Sequence, residues 1–212
     1  MHLRNKYRTA VRRLCRGRLR DIVKERTSII CNNCFGARVS QELGYAYASP
    51  TVGLFFYYPD YITFVKDLKT YCERPLRFRN ESKRGGVKPY PIGYLEYDGH
   101  DVEIEFLHYK SEDEAREKWT RRCKRINWDD LLVVGSEVDE CTKEDVENFV
   151  SLPYERKYFF VKNKYDDIMS DCIYHVPEMN RKSFTNLHAQ ANLLFVRMVT
   201  SNKLAIRLGG LL

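Results

Sequence analysis

The sequence predicts an α/β fold: a three-layer, mostly parallel, Rossmann-like sheet with a β-hairpin and an N-terminal amphipathic helix. Two observations predict it. Short apolar runs alternate along the chain with segments of helical periodicity, as they do in domains built from βαβ units. The turn sequence Asp98-Gly99-His100-Asp101 separates two runs typical of paired strands, which indicates a hairpin. We expect a basic arm at residues 1–26, followed by a single domain at 27–212.

The composition is that of a globular protein, with 43% apolar and 31% charged residues among 212. No stretch approaches the roughly 20 apolar residues of a membrane-spanning helix, and the N-terminus lacks the apolar core of a secretory signal. The seven cysteines are scattered, which favours free thiols in a reducing compartment. These features predict a cytoplasmic protein.

The net charge of +7 lies in the arm, because residues 1–26 hold ten Lys or Arg against two acidic residues. Apolar residues recur there at helical spacing, and a basic amphipathic helix is typical of attachment to an anionic membrane surface. Two alternatives are a helix docked on its own domain and a nucleic-acid contact. The second is disfavoured because base-reading and aromatic partners are not concentrated elsewhere. The candidate membrane-binding residues are Arg4, Arg8, Arg12, Arg13 and Arg16.

The main domain opens with an apolar strand at 27–31, a small polar turn, and a helix at 36–43. A strand, a turn and a helix in this order can direct free backbone N–H groups at an anion such as a sugar diphosphate. The candidate ligand-binding residues here are Asn32, Asn33 and Gly36. The turn is not a GxGxxG fingerprint, so no dinucleotide cofactor, and no other cofactor, is predicted.

The middle of the chain predicts a helix from Pro59, with an inward stripe that runs from Tyr61 to Tyr71. The polar, basic stretch 74–87 is predicted to be a mobile loop. Strands at 90–97 and 102–109 form the hairpin, with Glu103 and Glu105 on one strand face.

Ser111 and Glu114 form a capping-box pattern that opens a helix to about Arg125. Lys118, Arg122 and Arg125 are spaced to share one helix face, so Arg122 and Arg125 are candidate anion-binding residues. The alternative is that nearby glutamates neutralise this row. Further strands are predicted at 131–135, 157–162 and 172–176, and further helices at 143–150 and 187–199.

Cys34 and His108 are the candidate catalytic residues. A cysteine at a helix N-terminus is expected to have a lowered pKa and to be a good nucleophile. If their strands are parallel, both residues lie at the same sheet edge, in one pocket with Asn33. Glu105 or Asp60 could orient the imidazole. The alternatives are an inert buried thiol and a histidine that caps a helix, and the Cys31–Cys34 pair lacks the second ligand pair of a metal site, so no metal is predicted.

Several motifs occur in an order that resembles a known bacterial family of unknown function. They are SIICNNCFG at 28–36, SPTVGLFF at 49–56, YPIG at 90–93, FLHY at 106–109, and KWTRRCKRIN at 118–127. Members of that family are labelled exopolysaccharide or capsule biosynthesis proteins. The resemblance covers residues 27–165 and implies an α/β domain that serves cell-surface glycans. Cys31 and Phe35 depart from the small polar residue and the tryptophan expected at those positions.

Three classes of function follow. The first is a glycosyltransferase-like enzyme that acts on a sugar nucleotide or a lipid-linked glycan at the inner face of the cytoplasmic membrane. It would be independent of metal, because no DxD sequence occurs. The second is a Cys–His acyltransferase or hydrolase that modifies a glycan, and the third is a non-catalytic glycan-binding or assembly protein. The expected partners are thus an activated sugar substrate and an anionic membrane surface, without nucleic acid.

Overall fold

The structure is a computed structural model that describes residues 16–180. Helices and strands follow one another through most of that range. In chain order they are α1 (helical at 16–22), β1 (Ser28–Cys31), α2 (Phe35–Leu43), α3 (Tyr58–Lys66), α4 (Leu68–Glu73), β2 (Arg77–Glu81), β3 (Val87–Tyr97), β4 (His100–Glu105), α5 (Glu112–Cys123), β5 (Leu131–Ser136), α6 (Lys143–Ser151), β6 (Lys157–Val161), β7 (Ile173–His175) and a 3-10 turn (Pro177–Asn180).

The predicted α/β class with a mainly parallel sheet is confirmed. Four strands pair in the order β1-β5-β6-β7, and every pair is parallel. Their alternating side chains pack on two faces: Leu132 and Phe160 with α1 and α2, and Val133 and Phe159 with α3 and α6. Both faces are therefore covered, as parallel sheets require.

The hairpin is also confirmed, but it does not extend the parallel sheet. β3 and β4 join β2 in a separate antiparallel sheet of order β2-β3-β4. The turn between them is Asp98-Gly99, and both residues have positive φ, as a two-residue hairpin turn requires. β4 ends at Glu105, earlier than the predicted residue 109, because Phe106 to Tyr109 turn away from the strand.

The prediction of a mobile loop at 74–87 is wrong. Residues 77–81 form β2, and two basic residues that follow it turn back onto α3. Lys83 Nζ and Arg84 Nη1 contact the two carboxylate oxygens of Asp60 at 2.5 and 2.7 Å. Asp60 is buried and also accepts the backbone N–H of Glu103. This ion-pair network joins α3 to β4 and to the segment after β2.

The described part of residues 1–26 packs against the domain. Leu19 and Val23 are buried in the cluster that covers one face of the parallel sheet. Arg16, a candidate membrane contact, pairs with Glu42 of α2 at 2.8 Å. Residues 16–23 thus follow the docked-helix alternative. The other four candidate membrane-binding arginines and the predicted helix at 187–199 lie outside the described residues.

Candidate active site

The turn that follows β1 is fixed by contacts to β5. Asn32 Oδ1 accepts a hydrogen bond from Ser136 Oγ at 3.1 Å, and Asn33 Nδ2 donates to the same oxygen at 2.8 Å. Both asparagines are buried, at 1% and 5% exposure. Their amides hold the carboxyl ends of two neighbouring strands together. This geometry corrects the expectation that they face a ligand.

Gly36 has a packing role rather than a place in an anion cradle. A Cβ at this position would lie 3.0 Å from Ile29 Cγ2 and 3.0 Å from Cys31 Sγ. Its N–H donates to that sulfur at 3.2 Å, and the thiol in turn donates to the carbonyl of Asn33. A larger residue here would crowd both groups, because α2 starts directly against β1. The buried Cys31 thiol belongs to this packing.

Cys34 and His108 lie close together. Cys34 immediately precedes α2, and its Sγ is 3.6 Å from Nε2 of His108. His108 lies on the loop after β4, where its N–H donates to the carbonyl of Gly53 at 3.1 Å. Cys34 and His108 meet as predicted, but they do not follow parallel strands of one sheet, because β1 and β4 belong to different sheets. His108 reaches the thiol from the loop after β4, which is bonded to Gly53, and not from a shared sheet edge.

The expectation of a lowered thiol pKa is wrong. Burial raises the pKa of Cys34 to about 11, and Cys31 adds to this, while the Arg38 guanidinium lowers it. At neutral pH the thiol is therefore protonated, and it needs a base to become a nucleophile. A histidine within hydrogen-bonding distance is a suitable base.

The two residues lie in a cleft of about 550 Å³. Its walls come from α2, the loop at 47–53, the segment after β4 and α5. The described residues that line it are Cys34, Ala37, Arg38, Gln41, Tyr47, Val52, Gly53, His108, Tyr109, Lys118 and Arg122. Three of these are cations, and none is Asp or Glu. The arrangement combines a thiol, a base and positive charge in one space.

Arg122 and Arg125, predicted together, are separated by the structure. Arg122 lines the cleft, and its Nη1 donates to the carbonyl of Val52 at 2.9 Å and to the hydroxyl of Tyr109. Arg125 lines a surface groove with other residues of α5 and its end. α5 ends at Cys123, before the turn that would have aligned the two arginines. The row of cations is therefore broken.

Neither carboxylate proposed to orient His108 is placed to do so. Asp60 is bound by Lys83 and Arg84, as described above. Glu105 is buried on the hairpin, where burial, and then the nearby Glu103, raises its pKa. Among the described residues neither of its carboxylate oxygens has a hydrogen-bond partner, His108 included. Within residues 16–180, no group of three His, Cys, Asp or Glu is arranged to hold a metal ion.

Among the cleft residues that sequence reasoning missed are Arg38, Tyr47, Gly53 and Tyr109. Arg38 alone carried a usable signal, since it follows Cys34 by four residues on a helix and so projects from the same face. Gly53 has a φ of +76°, and its backbone passes close to the Tyr109 ring and the His108 side chain. Contacts so distant in sequence leave no local pattern.

Comparison with known proteins gives two matches. A family described as "Domain of unknown function (DUF1919)" matches residues 4–202. An "Uncharacterized protein" from Haemophilus influenzae is 32% identical over 146 residues. That alignment covers 69% of this chain and 66% of the relative, so the matched region is just under two thirds of the relative's length.

Proposed function

Since the chain belongs to the DUF1919 family of unknown function, we propose from its cleft that it transfers or hydrolyses acyl groups, with Cys34 as nucleophile and His108 as base. The observation that carries this proposal is the 3.6 Å separation of Cys34 Sγ and His108 Nε2. A thiol paired with an imidazole at this distance is the arrangement found in thiol-dependent acyl transfer. The pair borders a cleft large enough for a small substrate.

The chemistry follows from these two groups. His108 Nε2 takes the thiol proton as Cys34 Sγ bonds to the carbonyl carbon of an ester or thioester. The bond to the leaving alcohol or thiol then breaks, and His108 returns the proton to that group. In the second half, His108 takes a proton from a sugar hydroxyl or from water. The resulting oxygen nucleophile attacks the thioester and releases Cys34 as a thiolate, which His108 reprotonates.

Glycosyl transfer has less support. Its proposed diphosphate cradle used Asn32 and Asn33, whose amides bond Ser136. Its anion clamp used Arg122 and Arg125, of which Arg122 lines the cleft and Arg125 lies outside it. The link to exopolysaccharide or capsule biosynthesis rests on the sequence motifs. On that basis the acceptor is proposed to be a cell-surface glycan or its precursor.

Formation of an acyl-enzyme tests the proposal. The full chain, incubated with 4-nitrophenyl acetate, should carry one acetyl group on the peptide that contains Cys34. Cys34→Ser should lose that adduct, whereas Cys141→Ser should keep it, because Cys141 lies outside the cleft. Peptide mass spectrometry measures both. Acetylation spread over several residues, or equal in Cys34→Ser, would count against the proposal.

We also propose that residues 1–15 attach the protein to the inner face of the cytoplasmic membrane. They contain five Lys or Arg and no Asp or Glu, and each cation near an anionic surface contributes about 1 kcal/mol. Within residues 16–180, no helix is long and apolar enough to cross a membrane.

This attachment predicts binding to phosphatidylserine vesicles that weakens as NaCl is raised, because salt screens exposed charges. A chain without residues 2–15 should lose the binding. The truncation stops there because Leu19 and Val23 belong to the core. Co-sedimentation measures both, with neutral vesicles as the control. Equal binding by the two chains would assign any attachment to another surface.

A further inference from the structure

Arg122 is a buried cation without a described counter-ion. It is 9% exposed, and within residues 16–180 no carboxylate lies within ion-pairing distance of it. Among residues 16–180 its hydrogen bonds all come from Nη1, to the carbonyl of Val52 and the hydroxyl of Tyr109. The guanidinium carbon also lies 5.6 Å from the centre of the Tyr47 ring and 6.0 Å from that of Tyr109. A guanidinium has five N–H donors, so Nε and Nη2 remain for another partner. Burial of an unpaired charge is unfavourable, and an anion in the cleft would compensate it.

Arg38 adds a second cation to the lining of the cleft, from a different helix. It projects from α2 into the same cleft, and its described hydrogen bond goes to the neutral amide of Gln41 at 3.1 Å. Lys118, the third cation, differs from both because Glu114 pairs with it. Within residues 16–180, two arginines of the cleft that holds Cys34 thus have no carboxylate partner.

From these contacts we infer that the cleft holds an oxyanion of the substrate, a carboxylate or a phosphate, between Arg38 and Arg122. Both groups accept the paired N–H donors of a guanidinium and also compensate its positive charge, which a neutral substrate cannot do. The anion would lie next to the acyl group that Cys34 attacks. This inference deepens the proposed acyl transfer and rests on it for the reacting group, while the charge recognition stands on the cleft itself.

Alkylation of Cys34 by a charged and a neutral reagent tests this without any enzyme activity. Iodoacetate and iodoacetamide react with the same thiolate, so the ratio of their rates at Cys34 reports the local charge and not the thiol pKa. We expect the rate with iodoacetate, divided by the rate with iodoacetamide, to fall about fivefold in Arg38→Gln and in Arg122→Gln, because each variant loses one nearby positive charge. Peptide mass spectrometry with fragmentation follows Cys34 separately from the other cysteines, including Cys31 on the same peptide.

Arg125→Gln is the matched control, since it removes an arginine of the same segment that faces another groove. It should leave the ratio within about twofold of the wild-type value, since its charge is distant and screened. Arg122→Gln also removes the bonds to Val52 and Tyr109 and so could unfold the protein. In that case the result for Arg38→Gln tests the inference. A ratio unchanged in Arg38→Gln, or a native Cys34 that reacts with neither reagent, would overturn the inference.

Protection experiments then separate the two anions. Inorganic phosphate or acetate, at ionic strength matched with NaCl, should slow the reaction of Cys34 with neutral iodoacetamide. Protection by phosphate alone assigns a phosphoryl group, and protection by acetate alone assigns a carboxylate. If the alkylation ratio behaves as expected but no acyl-enzyme forms at Cys34, the anion site stands and acyl transfer is refuted.

Discussion

Cys34→Ser should abolish acyl transfer, and His108→Ala should slow it by about 10²- to 10⁴-fold. Serine at this position lacks a sufficiently acidic group, since even the more acidic thiol has a pKa of about 11 there. Loss of the imidazole leaves the protonated thiol without its base at neutral pH. The measurement is the steady-state rate of acetyl release from 4-nitrophenyl acetate by each full-length variant.

Cys141→Ser is the control for the loss of a cysteine, and unchanged thermal unfolding of each variant is the control for the fold. The Cys141 thiol bonds the carbonyl of Thr142 and does not border the cleft. A His108→Ala variant with wild-type turnover would show that His108 only lines the cleft. Wild-type turnover in Cys34→Ser would show that Cys34 is not the nucleophile.

The ion-pair network of Asp60 should give the largest effect on stability. Asp60→Ala is expected to lower the free energy of unfolding by about 2–4 kcal/mol, because it removes the buried carboxylate that Lys83 and Arg84 contact and leaves the N–H of Glu103 without its acceptor. Asp60 is 3% exposed and contacts Lys83, Arg84 and the N–H of Glu103. Urea unfolding, followed by circular dichroism, measures the change.

Glu96→Ala is the matched control, since it removes a carboxylate from the hairpin that the Asp60 network contacts. Its partner is Arg77, and both side chains are more than half exposed, so the loss should stay within about 1 kcal/mol. Similar losses for the two variants would mean that the Asp60 network is no stronger than a surface pair. Because β4 leads to the loop that carries His108, Asp60→Ala should also weaken the position of the base.

Local features of the fold were predictable because their causes lie within a few residues. The hairpin follows from Asp98-Gly99, which supplies the two positive φ angles of the turn. The start of α6 follows from Thr142 and Asp145, whose side chains and backbone N–H groups bond each other reciprocally. The inward stripe of α3 and α4 follows from apolar spacing, and its residues are buried.

Features that depend on distant partners were not predictable. The polar turn after β1 resembled a ligand cradle, because its partner, Ser136, lies more than 100 residues away. The thiol pKa was misjudged for the same reason, since burial comes from the assembled cleft and outweighs the position at the start of α2. Arg125 was placed on a helix face that ends two residues earlier.

The pH dependence of acetylation at Cys34 tests most directly whether His108 takes the thiol proton. In the wild-type protein the rate should be high near neutral pH and change little up to about pH 9, because the imidazole removes the proton during attack. In His108→Gln it should be low and rise about tenfold per pH unit toward about pH 11, where the thiol ionises by itself. The same steep rise in both proteins would contradict the account, since it would mean that Cys34 reacts without help from His108.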